Sequence, residues 1–300
     1  MAIASVRVQV NGTWHTLTYN SGTGAYEAQI TAPGATSFHQ SGGYYNVTVE
    51  ATNDAGTKVT ADAASLDSLR LFVRETVPPV ITILSPSNGA YVSNSKQPVV
   101  FTVTDEQGGS GVDLDSLEIL VDGTPADASG AVFTAVTNGY SVTYTPSSVL
   151  SDGPHTVTVR ISDNDGNSAA EKSTTYTVDT IPPTLNIIYP ADGFITNTAA
   201  LLVRGTTNDA TSSPVTVSIR LNGADQGAVS VGADGSFSKQ ITLAEGDNTI
   251  IVEAVDAAGK VSSVTRTVRL DTSVPTVQSA TITPNPADTG ASVIISVVIA

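Results

Sequence analysis

An all-β chain of tandem sandwich modules is what this sequence predicts, and three observations predict it. Apolar and polar residues alternate over short runs, as in Val6-Arg-Val8-Gln-Val10 and Val157-Thr-Val159-Arg-Ile161. A period of two turns one face of a strand inward and the other toward water. Whole segments then return at intervals of about 100 residues, the size of a small sandwich. Finally, the apolar residues are mostly Val, Ile and Ala, Thr and Ser are abundant, and no long stretch has helical period, a mixture that suits pleated surfaces.

Composition narrows the class. Of 300 residues, 40% are hydrophobic and only 14% charged, which excludes intrinsic disorder. The formal charge is −15 and the pI about 4.3. An acidic surface repels phosphate backbones, so nucleic acid is excluded as a partner. Cysteine is absent, which removes disulfides and thiolate metal sites. Met1-Ala-Ile-Ala-Ser-Val6 runs straight into strand pattern, with no basic or apolar leader region. The expectation is a protein whose leader has been removed, or one assembled inside the cell that makes it. No apolar run approaches the length of a membrane span, so membrane insertion is not expected.

The elements follow in order. Residues 1–76 open with Val6-Arg-Val8-Gln-Val10-Asn11-Gly12, and 77–180 and 181–272 each begin after a proline hinge. The hinges read Glu75-Thr-Val-Pro78-Pro79, Asp179-Thr-Ile-Pro182-Pro183 and Asp271-Thr-Ser-Val-Pro275. Proline removes a backbone donor and drives its predecessor to extended structure, which suits a stiff junction. A strand–turn–strand unit recurs as Val47-Thr-Val49-Glu-Ala51-Thr-Asn53-Asp-Ala-Gly56, at Val157–Gly166, and as Ile250-Ile-Val252-Glu-Ala254-Val-Asp256-Ala-Ala-Gly259. Asp or Asn followed three residues later by Gly signals a tight turn. Val6–Gly12 corresponds to Val217-Ser-Ile219-Arg-Leu221-Asn222-Gly223, and Gly24-Ala-Tyr26 to Gly235-Ser-Phe237, at one shared offset.

These hinges and strand–turn–strand units resemble bacterial Ig-like repeat domains, found in surface adhesins and as modules of tailed-phage structural proteins. The resemblance covers nearly the whole chain. It implies tandem immunoglobulin-like β-sandwich modules in a semi-rigid rod-like array. It does not itself assign a function, since such sandwiches host many.

The two ends read as parts of modules. Each full module starts with two strands after its hinge, at 81–84 with 99–103 and at 185–188 with 201–203. Residues 1–76 are expected to be without that opening pair, because Val6 matches Val217, which lies beyond it. The segment 273–300 has the opposite character: 276–283 and 293–299 look like the opening pair alone. An open edge and an uncovered apolar face are liabilities in water. Both are relieved if 276–300 of one copy completes 1–76 of the next, by strand complementation in a head-to-tail filament. The alternative is that 276–300 opens a further module.

From these readings we expect a non-enzymatic structural or host-attachment protein of a tailed-phage virion, assembled in the host cytoplasm. The alternative is a stalk fragment of a secreted bacterial surface adhesin, extracellular or on the cell surface. Its partners would be other copies, other structural proteins, or a host-surface glycan or protein. Trp14, Tyr26 and Tyr44 are the aromatic candidates for contact, and Val293, Ile295, Val297 and Ile299 the apolar ones. No catalytic motif is present, and His15, His39 and His155 read as surface or loop residues. No cofactor is expected, except that Asp163, Asp165 and Asn167 supply oxygen ligands suited to calcium in one turn. Asp105, Glu106 and Asp113 form another acidic loop. An ordinary Asp-Gly turn explains the first group as well.

Overall fold

Alternation in sequence becomes alternation in burial. Along Val99–Thr104, the side chains of Val99, Phe101 and Val103 are fully enclosed while the residues between them are half-buried. A computed structural model describes residues 2–300, whose regular elements are β-strands apart from two single-turn 3-10 helices. Two compact units divide the chain, Met1–Asp179 and Thr180–Ala300.

In the first unit, the opening module has strands β1 (Ile3–Val10), β2 (Thr13–Asn20), β3 (Ala25–Glu27), β4 (Tyr45–Asn46), β5 (Thr48–Asn53), β6 (Lys58–Ala61) and β7 (Arg70–Leu71). Five of them form one antiparallel sheet, in the order β3-β2-β1-β5-β6, and β4 pairs only with β7. Val6, Val8 and Val10 are buried on one face of β1. Thr31 and Pro33 line a cavity with Val10 and His15, and His15 stands opposite Val8 on this face of the sheet.

The next module is a complete sandwich. Its strands are β8 (Val80–Ser85), β9 (Ala90–Val92), β10 (Val99–Thr104), β11 (Val112–Val121), β12 (Thr124–Pro125), β13 (Val132–Val136), β14 (Gly139–Tyr144), β15 (Gly153–Asp163) and β16 (Lys172–Val178). A β13-β14-β10-β8 sheet faces a β12-β11-β15-β16-β9 sheet. Val99, Phe101 and Val103 from one sheet meet Val157, Val159 and Tyr176 from the other in a single core.

The second unit repeats the plan with β17 (Thr184–Tyr189), β18 (Phe194–Thr196), β19 (Ala200–Asn208), β20 (Thr216–Leu221), β21 (Ala224–Asp225), β22 (Ser236–Thr242), β23 (Gly246–Val255) and β24 (Val261–Leu270). Here β17-β19-β22 packs on β18-β24-β23-β20-β21, around Val203, Ile219, Phe237, Ile250 and Val252. A last hairpin, β25 (Val277–Thr283) with β26 (Ile294–Ile299), pairs only with itself.

The three predicted Asp/Asn-to-Gly turns all form. Gly56, Gly166 and Gly259 donate their N–H to the carbonyls of Asn53, Asp163 and Asp256 at 2.9, 3.2 and 3.2 Å. Each glycine takes a positive φ, near 79, 93 and 83°, a region that L side chains rarely adopt. The fold also corrects one reading. His155, expected at the surface or in a loop, lies on β15 and is only 8% exposed. The strand alternation that buries Val157 and Val159 buries it too.

His155 holds Asp122 at 2.7 Å through Nδ1 and the Ser151 carbonyl at 2.7 Å through Nε2. Both partners are acceptors, so both ring nitrogens donate only in the imidazolium. Burial opposes that charge, but the Asp122 carboxylate and the Ser151 carbonyl outweigh it and raise the pKa above 6.5. The folded state therefore binds this proton more tightly than the unfolded one. The stabilisation is complete below about pH 6.5 and fades as pH rises through the raised value. We expect the urea midpoint of the Met1–Asp179 unit to fall between about pH 6 and pH 8.5, and His155→Gln to flatten that slope.

Candidate functional site

The terminal hairpin presents its apolar residues outward. Ala280 stands opposite Val297 and Ile282 opposite Ile295, and residues directly opposite share a face. Ile299 continues that face by the two-residue period, and Val293 lies one residue before β26. Every residue of both strands is exposed, with Ile295 at 64% and Ile299 at 61%. In the full module the matching pair, β8 and β10, sets Ile83 opposite Phe101 and Ile81 opposite Val103. There Ile81, Phe101 and Val103 are closed off by the facing sheet. The four nominated residues Val293, Ile295, Val297 and Ile299 thus form a core-type face that no other described residue covers.

The nominated aromatics do not form one patch. Trp14 faces Gln9 across β1–β2, on the side of the sheet opposite Val6, Val8 and Val10. The Arg7 guanidinium stacks on its ring at 4.2 Å and also binds Glu50, which Lys58 contacts as well. The Arg7 hydrogen bond holds the Glu50 carboxyl below its ordinary range. Tyr26 lies on the other face, half-buried against Tyr19 with ring centroids 5.3 Å apart. Tyr44 sits apart from both, between the Arg70 guanidinium and the edge of Phe72.

The nominated calcium residues hydrogen-bond within their own turn and to the first hinge. Asp163 Oδ1 accepts the N–H groups of Asp165 and Asn167, and its Oδ2 accepts the Asn167 side-chain amide. Burial works against the Asp163 charge, but these donors prevail and lower its pKa. Asp165 Oδ2 accepts the Thr36 hydroxyl at 2.5 Å and the Glu75 N–H at 3.0 Å. Asn167 donates to the Glu75 carbonyl at 3.1 Å. This turn therefore grips the first hinge and ties the opening module to the next, and both fall in one unit.

The carboxylates that do converge are Glu75, Asp105 and Glu106, with one ligand oxygen from each within 4.8 Å of the others. Glu75 comes from the hinge, and Asp105 and Glu106 follow the end of β10. Glu75 Oε1 accepts the Ser110 N–H and hydroxyl at 3.2 and 3.0 Å. Burial, then the Asp105 carboxylate, pushes the Glu106 carboxyl up to about 7. Asp113 is not in this group; its carboxylate caps the N–H of Asp115. Sequence reading placed Asp105 and Glu106 in an acidic loop and missed Glu75. The available signal was the hinge carboxylate repeated as Asp179.

Residues 79–159 match the family described as bacterial Ig domain, and residues 183–272 match glucodextranase domain B. The chain carries bacterial Ig-like repeat domains. Over 111 residues it is 34% identical to Bacillopeptidase F of Bacillus subtilis (strain 168), a stretch that covers 37% of this chain and 7% of that protein. Among solved structures, the fibronectin(III)-like modules of Clostridium thermocellum CbhA align with a TM-score of 0.41 and 19% identity, over 64% of this chain and 94% of theirs. Domains A168–A170 of titin align at 0.40 and 14%, over 88% and 85%. The Ig-like repeats here are of the kind carried by bacterial surface or extracellular proteins.

Proposed function

We propose that this chain is a non-enzymatic structural or attachment segment of a bacterial surface or extracellular assembly, and that copies join head to tail. In that joint the 276–300 hairpin of one copy adds a strand pair to the 1–76 module of the next. The observation that supports this reading is the hairpin's uncovered apolar face, alongside a first module whose five-stranded sheet is accompanied only by the short β4–β7 pair among the described residues. Strand addition supplies backbone hydrogen bonds, and Ile282, Ile295 and Val297 supply apolar burial.

The 300-residue chain should form strings that lengthen with concentration, seen by light scattering and electron microscopy. Removal of 276–300 should leave monomers, and Ile295→Asp should weaken association at least about tenfold. A full chain that stays monomeric at every concentration would overturn the joint and assign the hairpin to the opening of a further module. A place in a tailed-phage virion is a finer form of the same proposal, tested by mass spectrometry of purified particles. Cell-surface fractions carrying the protein would favour the adhesin form instead.

A further inference from the structure

We propose that Glu75, Asp105 and Glu106 bind a calcium ion at the junction of the first two modules. Three carboxylates bring their oxygens within 4.8 Å of one another, and among the described residues no Lys or Arg forms an ion pair with any of them. Like charges this close repel unless something positive lies between them.

Asp105 provides the independent indication of a ligand. Its side chain is 7% exposed. Oδ2 accepts the Gly111 N–H at 2.7 Å, but Oδ1 is buried with no hydrogen-bond donor, and so is Glu106 Oε2. A buried carboxylate oxygen without a partner is costly and rare. A cation satisfies both oxygens and the repulsion together.

The donor set is all oxygen, which selects a hard cation. Calcium tolerates irregular cages of protein carboxylates, whereas magnesium demands near-ideal octahedral geometry and keeps its waters. Gly109 makes the cluster possible. A Cβ there would stand 2.6 Å from Asp105 Oδ2 and 2.8 Å from the Glu106 carboxyl. The site is reachable, because Asp105 and Glu106 line an open cleft of about 480 Å³ with Phe38, His39 and Tyr140. Carboxylates also recur in sequence at the equivalent positions of the next repeat, Asp179 and Asp209. Bound calcium would tie the hinge to the end of β10, holding the first module against the second.

The test is thermal unfolding of the full chain at fixed ionic strength, in EDTA, calcium or magnesium. It is paired with terbium luminescence, for which Tyr140 is a nearby sensitiser. Calcium about 100-fold above its Kd should raise the melting temperature of the Met1–Asp179 unit by roughly 5–10 °C, and magnesium should do less. The pair Asp105→Asn with Glu106→Gln should abolish that rise and the terbium signal. The same pair should melt no lower than the parent in EDTA, because it removes repulsion without removing volume. Circular dichroism of the pair in EDTA separates lost binding from lost folding. If the pair does not fold, the single Glu106→Gln should still weaken calcium at least tenfold. No shift of the parent between EDTA and calcium would overturn the proposal. So would a shift that survives the substitutions, which would place the ion elsewhere, or one that magnesium matches.

Discussion

Phe237→Ala is expected to destabilise the Thr180–Ala300 unit by about 3–5 kcal/mol, a large part of the about 5–15 kcal/mol that holds a domain folded. The ring is 4% exposed and sits opposite Gly205 across β19–β22. Gly205 leaves the space the ring fills, since a Cβ there would come 2.5 Å from the Phe237 ring. Truncation therefore opens a cavity that the backbone on the other side cannot close. Tyr26 occupies the matching position of the first module, yet its strand pairs with β2 in the same sheet, because β19 has no counterpart there. Tyr26→Ala should cost no more than about 1.5 kcal/mol, the value of its pairing with Tyr19. Urea midpoints of the two variants measure the contrast. Equal losses would mean that the first module already encloses Tyr26 as a sandwich does, and that it needs no donor.

Gly139→Val is expected to destabilise the Met1–Asp179 unit by about 3 kcal/mol or more, beyond ordinary overpacking because the obstacle is backbone. A Cβ at Gly139 would lie 2.0 Å from the Val103 carbonyl oxygen and 2.8 Å from Thr104 Cα. Relief requires β10 and β14 to separate where Thr104 pairs with Gly139. Val103 and Phe101, fully buried, sit on the strand that must move. Asp105 follows directly, and its N–H donates to the Asn138 carbonyl at 2.8 Å. The same substitution should thus displace Asp105 and weaken calcium binding without touching a carboxylate. A variant that kept both its urea midpoint and its calcium response would show that this edge of the sheet yields cheaply.

Much of the fold could be read from order in the chain. The alternation around Val157 and Val252 fixed which residues face inward, and Asn53, Asp163 and Asp256 marked turns three residues before a glycine. The hairpin 276–300 was visible because its apolar spacing repeats that of residues 81–103. Faces were harder. Trp14 and Tyr26 are close in sequence, yet the strand pairings place them on opposite sides of one sheet. A one-residue change of parity decides that, and composition does not carry it.

What the sequence determined by itself was what has a local period: the strands and the turns. Only the tertiary structure decided which distant groups meet. It brought Glu75 to Asp105 and Glu106 across some 30 positions, set Asp165 and Asn167 on the hinge, and buried His155 against Asp122. The physical reason is that periodic burial is written residue by residue along a strand. The convergence of loops depends instead on how whole sheets stack, and no short stretch of sequence encodes that.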